Sequence, residues 1–559
     1  MQRVPLFAVR SAICALAVLS ASCGSVSAVV DMPTTMDSAM PDSAVPDLAI
    51  IDTSVPDLAL PDLAMTTPDL AMTDLASVDT AVPPDVATPD LAKPDLATPD
   101  LAAGPAIQDL ATLVVNDLVS ATTTSIAYLS DQRPNGTGAG DSTAGMIQTR
   151  ALNRIEGDDT FVTLSNNAFT LAAGTYTIDA SAPAYSTNRH QIRMQNLTDG
   201  TTAIVGTSQQ CYGDAATRSF LSGLVTIQSP KSFEIEHYTQ NTTTSGLGQS
   251  ASSSFGERFT IVRIQRHTSS PSVAWIRDLK ASGISGGATT GGTTVQRDLN
   301  TLAGDSTFVS LASNQFMLAP GTYEIEASAP AYQVNRHQIR LHNVTDGSYP
   351  IIGTSQQSFG DFATRSFLQG QISISTAMTF SIEHYTQTSQ AQGFGQSVSS
   401  SFGELYTTVK VTKLSGESIA YIRDSKPAGT AGGASLAGAI QVRDLNTTDD
   451  TAKLVSLSGN VFSLQPGTYE ISASAPSYYT NRHQLRVRSM DSSIVLVGTT
   501  QQNAGDTATR SFVVGRVMLT SPTSFLLDQF TQLAQPQGMG QNVNAFGEVF
   551  SQVRVEKLQ

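Results

Sequence analysis

One fifteen-residue passage occurs three times in this chain: ASAPAYSTNRHQIRM at 180–194, ASAPAYQVNRHQIRL at 327–341 and ASAPSYYTNRHQLRV at 473–487. Around it the same landmarks return in the same order. GTY stands at 174–176, 321–323 and 467–469; ATRSF at 216–220, 363–367 and 508–512; FGE at 255–257, 402–404 and 546–548. The spacing between copies is 144–147 residues, long enough for each to build its own core. The C-terminal part therefore reads as three copies of one unit, at 113–268, 271–414 and 417–559.

The pattern inside each copy is that of strands. Apolar residues fall at every second position in Tyr176–Ala182, and the same alternation runs through His190–Met194 and Phe233–His237. Turn signals lie between such runs: Gly before each GTY strand, Asp199-Gly200, Asp346-Gly347 and the Gly-rich 283–292. Each copy should hold about eight to ten short strands and no helix, which predicts a sandwich or jelly roll.

The F-x-L-x-x-G-x-Y run entering a central strand, with a closing F-G-x-x-(Y/F) strand, resembles the C1q/tumour-necrosis-factor type of jelly roll. The combination of I-R-D, R-D-L-N, PGTY, ASAPAY, NRHQ, TDG, IGTSQ and TRSF is similar to modules at bacteriophage tail-fibre tips and in bacterial surface proteins. This resemblance implies assembly about a threefold axis, and three tandem copies would then form a pseudo-trimer within one chain. The joins near 267–272 and 415–417 are short, and a six-residue link spans at most about 20 Å. Tethering also raises the effective concentration of the copies to about millimolar. The alternative is three beads with no mutual interface. The expected fold class is all-β: three tandem jelly-roll (C1q/TNF-like) domains in an intramolecular pseudo-trimer, preceded by a disordered stalk.

The N-terminal part is of another kind. A basic start and the apolar run 11–21 have the length of an export signal. Leu19-Ser20-Ala21-Ser22-Cys23 resembles a lipoprotein lipobox, with Ser20 where that family usually has Leu. The resemblance makes 1–22 a signal peptide and Cys23 the lipidated residue, with Gly24 favouring an outer membrane. Ordinary cleavage after Val26-Ser27-Ala28 would instead release a secreted soluble protein. Residues 31–110 hold fifteen Asp against the single Lys93, and PDLA recurs seven times. A five-residue period presents neither a helical nor a strand face, and frequent Pro interrupts both, so 23–112 reads as an anchor site and disordered spacer. It would reach roughly 280 Å if extended as polyproline II. The rest of the chain, 111–559, carries 29 basic and 32 acidic residues and no basic block, which excludes nucleic acid as a partner. After residue 30 no apolar run is long enough to span a membrane as a helix, so contact with a membrane is through the lipid anchor alone.

His190, His337 and His483 share parity with Ile192, Ile339 and Leu485, so each should be buried and satisfied by a neighbour. A metal held by the three on an axis is the alternative, and no metal or other cofactor is assigned. Glu236-His237 and Glu383-His384 become Asp528-Gln529 in the third copy, so they read as ordinary strand residues. Arg189, Arg336 and Arg482, with Arg193, Arg340 and Arg486, lie on the polar face of the NRHQ strand, and Asp214, Asp361 and Asp506 precede Arg218, Arg365 and Arg510 by four residues; Arg–carboxylate pairing within or between copies is expected. The Gly-x-Gly-Gln loops at 246–249, 393–396 and 538–541 lack the helix a phosphate cradle needs. Cys211 is Ser358 and Asn503 in the sister copies, and a Gly-x-Ser-x-Gly elbow is absent. The candidate ligand-binding set is Tyr185, Asn188 and Arg189, with Tyr332, Asn335 and Arg336, and Tyr478, Asn481 and Arg482. In it tyrosines offer stacking surfaces, and Arg offers bidentate bonds to sugar.

These readings converge on a non-catalytic surface binding or adhesion lipoprotein, monomeric, whose trimeric head recognises a glycan or protein. A structural component of the envelope or of a fibre-like appendage is the second reading. A polysaccharide-degrading enzyme is the third, and no pair of carboxylates suited to glycoside hydrolysis stands out.

Overall fold

The computed structural model describes residues 125–416 and 418–558. The signal, Cys23 and the spacer lie outside them. Among the described residues there are thirty-five strands and no helix. All strand pairs are antiparallel, and they form six sheets, two per copy, in jelly-roll-like modules.

In the first module the five-stranded sheet runs Ala216–Ile227, Gly174–Tyr185, Glu257–His267, Ser125–Arg133, Arg154–Gly157. The second sheet runs Val162–Ser165, Ala168–Leu171, Lys231–Thr239, Asn188–Asn196, Thr201–Val205, with two short strands beside it. Both other modules repeat this order, except that Val495–Asn503 in the third joins two strands into one. The modules thus hold twelve, twelve and eleven strands, more than the eight to ten expected. The excess comes from strands of two to four residues. One pair is split by Asn166-Asn167, both with left-handed φ (51° and 68°), as a two-residue hairpin turn requires.

The alternating apolar residues meet between the two sheets. Tyr176, Ile178, Ile192, Phe233, Ile235 and Val262 are fully buried in the first core, and their counterparts fill the other two. Pro183 sits inside a strand, where it lacks a donor for a ladder. It pairs with Arg218 on one side only, because the strand on the other side stops pairing at Ser181.

The three modules close on a pseudo-threefold axis. Phe220, Phe367 and Phe512 meet edge to face there, with ring centres 5.3–5.4 Å apart. Closure is cyclic. The first module's Gln191 donates to Gly403 O of the second (2.8 Å), Gln338 to Gly547 O of the third (2.7 Å), and Gln484 back to Gly256 O of the first (2.8 Å). Closure thus covers much of the polar side of the five-stranded sheets. Thr177, Glu324 and Glu470, on the polar side of equivalent strands, are at most 3% exposed.

Candidate functional site

The two most regular motifs are the two halves of one interface. Each letter of FGE meets the preceding module. Phe402, Phe546 and Phe255 lie under Arg193, Arg340 and Arg486 at 4.2–4.5 Å, as cation–π contacts. The Gly carbonyls receive the Gln amides described above. Glu404, Glu548 and Glu257 accept the hydroxyls of Ser208, Ser355 and Thr500 at 2.6–2.7 Å. Each of these glutamates is almost fully buried and also takes three backbone N–H groups; for Glu404 these are Gly283, Val398 and Ser399. So NRHQ-x-R of one copy is read by FGE of the next.

The histidine of NRHQ turns inward. His190 Nε2 lies 2.8 Å from Thr217 Oγ1, whose proton goes to Gln210 O. The ring therefore donates from Nε2 and accepts at Nδ1, where His237 Nε2 lies at 3.0 Å. His337, Thr364 and His384 repeat the chain. In the third module the Gln529 amide donates to His483 Nδ1, which is why Gln can stand where the others have His. Burial pushes His190, His337 and His483 down to about 3, so the chain of donors is built from neutral rings. Among the described residues no group of His, Cys, Asp or Glu side chains is arranged to hold a metal ion.

The expected Arg–carboxylate pairing is found at Arg193–Glu236, Arg340–Glu383 and Arg486–Asp528, but not between Asp214 and Arg218. Asp214 accepts the Tyr185 hydroxyl (2.9 Å), Asp361 that of Tyr332 (3.0 Å) and Asp506 that of Tyr478 (2.8 Å). Asp214 lies in the bend before the strand Ala216–Ile227, and Arg218 lies within that strand. Arg218 instead turns back to Ser181 O and Phe259 O. The Gly-x-Gly-Gln loops also have a packing role. Gly248 has φ +142°, and a Cβ there would stand 2.6 Å from the Phe259 ring.

The candidate tyrosines gather at one end of the ring. Burial and the adjacent aspartate push the Tyr185 and Tyr332 hydroxyls up to about 12, and Tyr478 is raised by the same causes. The opposing charge comes from a neighbouring module each time: Arg482 acts on Tyr185, Arg189 on Tyr332 and Arg336 on Tyr478. Each Tyr–Asp pair thus lies within electrostatic reach of an arginine from the module before it. The Nε atoms of Arg189 and Arg482 are buried there without a partner. Asn188, Asn335 and Asn481 have φ of 60–62°, so their first role is to turn the chain. Asn188 and Asn481 donate to Gln240 and Gln532. Exposed Tyr212, Phe359 and Tyr479 stand in the flanking loops.

The axis itself holds two cavities on either side of the phenylalanines. The larger, about 400 Å³, is lined by Asp179, Glu326, Arg263, Lys410 and Arg554 among others. Its charges pair across modules. Arg263 Nε meets Glu470 at 2.7 Å, Lys410 bridges Asp179 and Glu326 at 3.3 Å each, and Arg554 grips Glu324 through two nitrogens. Tyr128 and Tyr421 donate to the same two glutamates. Burial raises Glu324 and Glu470, but the facing guanidiniums outweigh it and hold both below the ordinary range. The smaller cavity, about 30 Å³, is lined by identical residues from all three modules.

Sequence reasoning missed the axial phenylalanines, the interface role of FGE and the charged network. The available signal was the recurrence of Arg263, Lys410 and Arg554 at one polar position of the last strand. Comparison with protein-family models gives no match, and comparison with curated proteins gives no significant one.

Proposed function

We propose that this chain is a non-catalytic binding protein of the cell surface whose pseudo-trimeric head holds a glycan or protein at its tyrosine-bearing end. The observation that carries this reading is the threefold recurrence of one Tyr–Asp–Arg cleft at that end. The first strand supports it. Ser125 pairs with Arg266, which pairs with Tyr176, nine residues along the strand from Tyr185. At strand rise the clefts are about 30 Å from where the chain enters the head. An exported chain anchored at Cys23 and carried on 23–112 would present the clefts outward. Three equivalent weak contacts would then multiply into useful avidity.

The test is a glycan and protein array probed with the full chain, run beside a polysaccharide hydrolysis assay. Binding without turnover, lost on Arg189→Ala, Arg336→Ala and Arg482→Ala together, supports the reading. Turnover, or binding indifferent to the triple substitution, refutes it.

A further inference from the structure

Three guanidiniums line the smaller axial cavity, with no counter-charge among the described residues. Arg218, Arg365 and Arg510 are each 4% exposed. Their Nη2 atoms are spent on carbonyls: Ser181 O and Phe259 O for Arg218, Ser328 O and Tyr406 O for Arg365, Ser474 O and Phe550 O for Arg510. The Nη1 atom of every one of the three is buried without a hydrogen-bond partner. Among the described residues no carboxylate acts on them. The charges that reach them are those of further arginines: Arg150 and Arg258 on Arg218, Arg297 on Arg365, and Arg443 on Arg510. Burial and those neighbours lower Arg365 and Arg510 to about 9, which leaves both protonated at neutral pH. A guanidinium does not shed its proton in proteins, so the remedy open to a buried histidine is closed here.

A buried cation with no partner is among the most unfavourable arrangements a fold can hold, and this fold holds three in one place. The rest of the lining is polar, but its threonine protons are spent on Gln210 O, Gln357 O and Gln502 O. Thr217, Thr364, Thr509, Gln209, Gln356 and Gln501 complete it, with Phe220, Phe367 and Phe512 closing one side. Gln501 Nε2 is also buried and unpaired. A volume of about 30 Å³ exceeds the roughly 10–15 Å³ that one water needs. Water could accept from the Nη1 donors, but it would leave the charge uncancelled.

We propose that a single inorganic anion of halide size occupies the pseudo-threefold axis between Arg218, Arg365 and Arg510, and is an integral part of the closed ring. The donors are N–H groups on three separate modules, so the ion is a joint none of them can form alone. This inference is independent of what the outer clefts bind.

The experiment uses the full chain, freed of halide by dialysis into gluconate, which is too large for the cavity. Chloride or bromide is then restored at constant ionic strength. Tm should rise by about 1–3 °C per tenfold halide above the dissociation constant. Crystals grown in bromide should show an anomalous peak among the three Nη1 atoms. Arg365→Met should abolish the halide dependence. Where that variant does not fold, Ala363→Leu fills the cavity, keeps all three guanidiniums and should abolish it as well. Water alone in the cavity of bromide-grown crystals overturns the proposal. So does a halide response that is absent, or that is equal in the wild-type and cavity-filled proteins.

Discussion

The two sides of the phenylalanine cluster are built on opposite rules. On the narrow side the three modules contribute the same residues: Ala216, Thr217 and Arg218 match Ala363, Thr364 and Arg365, and Ala508, Thr509 and Arg510. On the wide side they differ. Thr177 is replaced by Glu324 and Glu470, Asp179 by Glu326 and Ser472, and Arg263 by Lys410 and Arg554. Identical subunits would have to place like beside like around such an axis. A single chain is free to vary each copy, and here the variation makes Arg263, Lys410 and Arg554 each meet a carboxylate of the module before it. Arg277 and Arg423 show the same freedom. Each reaches a carbonyl of the preceding module, Ser222 O and Gln369 O. Their counterpart Ser130 cannot, and Arg258 reaches Val514 O in its place. Divergence has given the copies an order.

The largest effect on this contrast should come from the wide side. Glu324→Ala leaves Arg554 and Tyr421 without their shared acceptor, and a buried pair broken on one side costs about 3–5 kcal/mol. Chemical denaturation should show that loss, and Ser472→Ala, at an uncharged position of the same cavity, should cost much less.

Acid should act next, and on all modules. His190, His337 and His483 are neutral in the fold down to about pH 3, whereas an unfolded histidine takes up a proton near pH 6.5. The unfolded chain then binds more protons, so stability is complete above pH 6.5 and falls as pH drops towards 3. The slope is at most about 1.4 kcal/mol per pH unit for each ring. His237→Gln copies the third module's arrangement into the first. It should keep the fold and flatten the acid limb of a Tm–pH profile; an unchanged profile would show that His237 does not contribute to it.

A smaller change is expected where the interface is repeated. Ser355→Ala removes one hydroxyl from Glu548, which keeps its three backbone donors. The cost should be about 1–3 kcal/mol by denaturant titration. Least affected should be stability after Arg482→Ala at the outer clefts, within about 0.5 kcal/mol, although that variant should weaken ligand binding.

Much of the fold was legible because repetition and alternation are local. Tyr176, Ile178 and Ala180 name the core face without help from the rest of the chain. Thr177, Asp179 and Ser181 read the same whether they face water or another module, since only closure of the ring decides between those fates. The clefts were half legible. Tyr185 and Arg189 lie close in sequence, but the arginine that faces Tyr185 is Arg482, nearly three hundred residues away. Arg218 was misread because its spacing from Asp214 does not show that Asp214 stands in a bend and turns to Tyr185 while Arg218 lies on the strand.

Each module pairs its first strand with its own last, as Ser125–Arg133 does with Glu257–His267. A nascent chain can thus finish two sandwiches before the third exists. Until it does, Arg263 waits for Glu470, Gly256 for Gln484 and Phe255 for Arg486. A product truncated after two modules would carry an open seam of unanswered charge and bare aromatic surface. The third module is thereby a completeness check on the whole head.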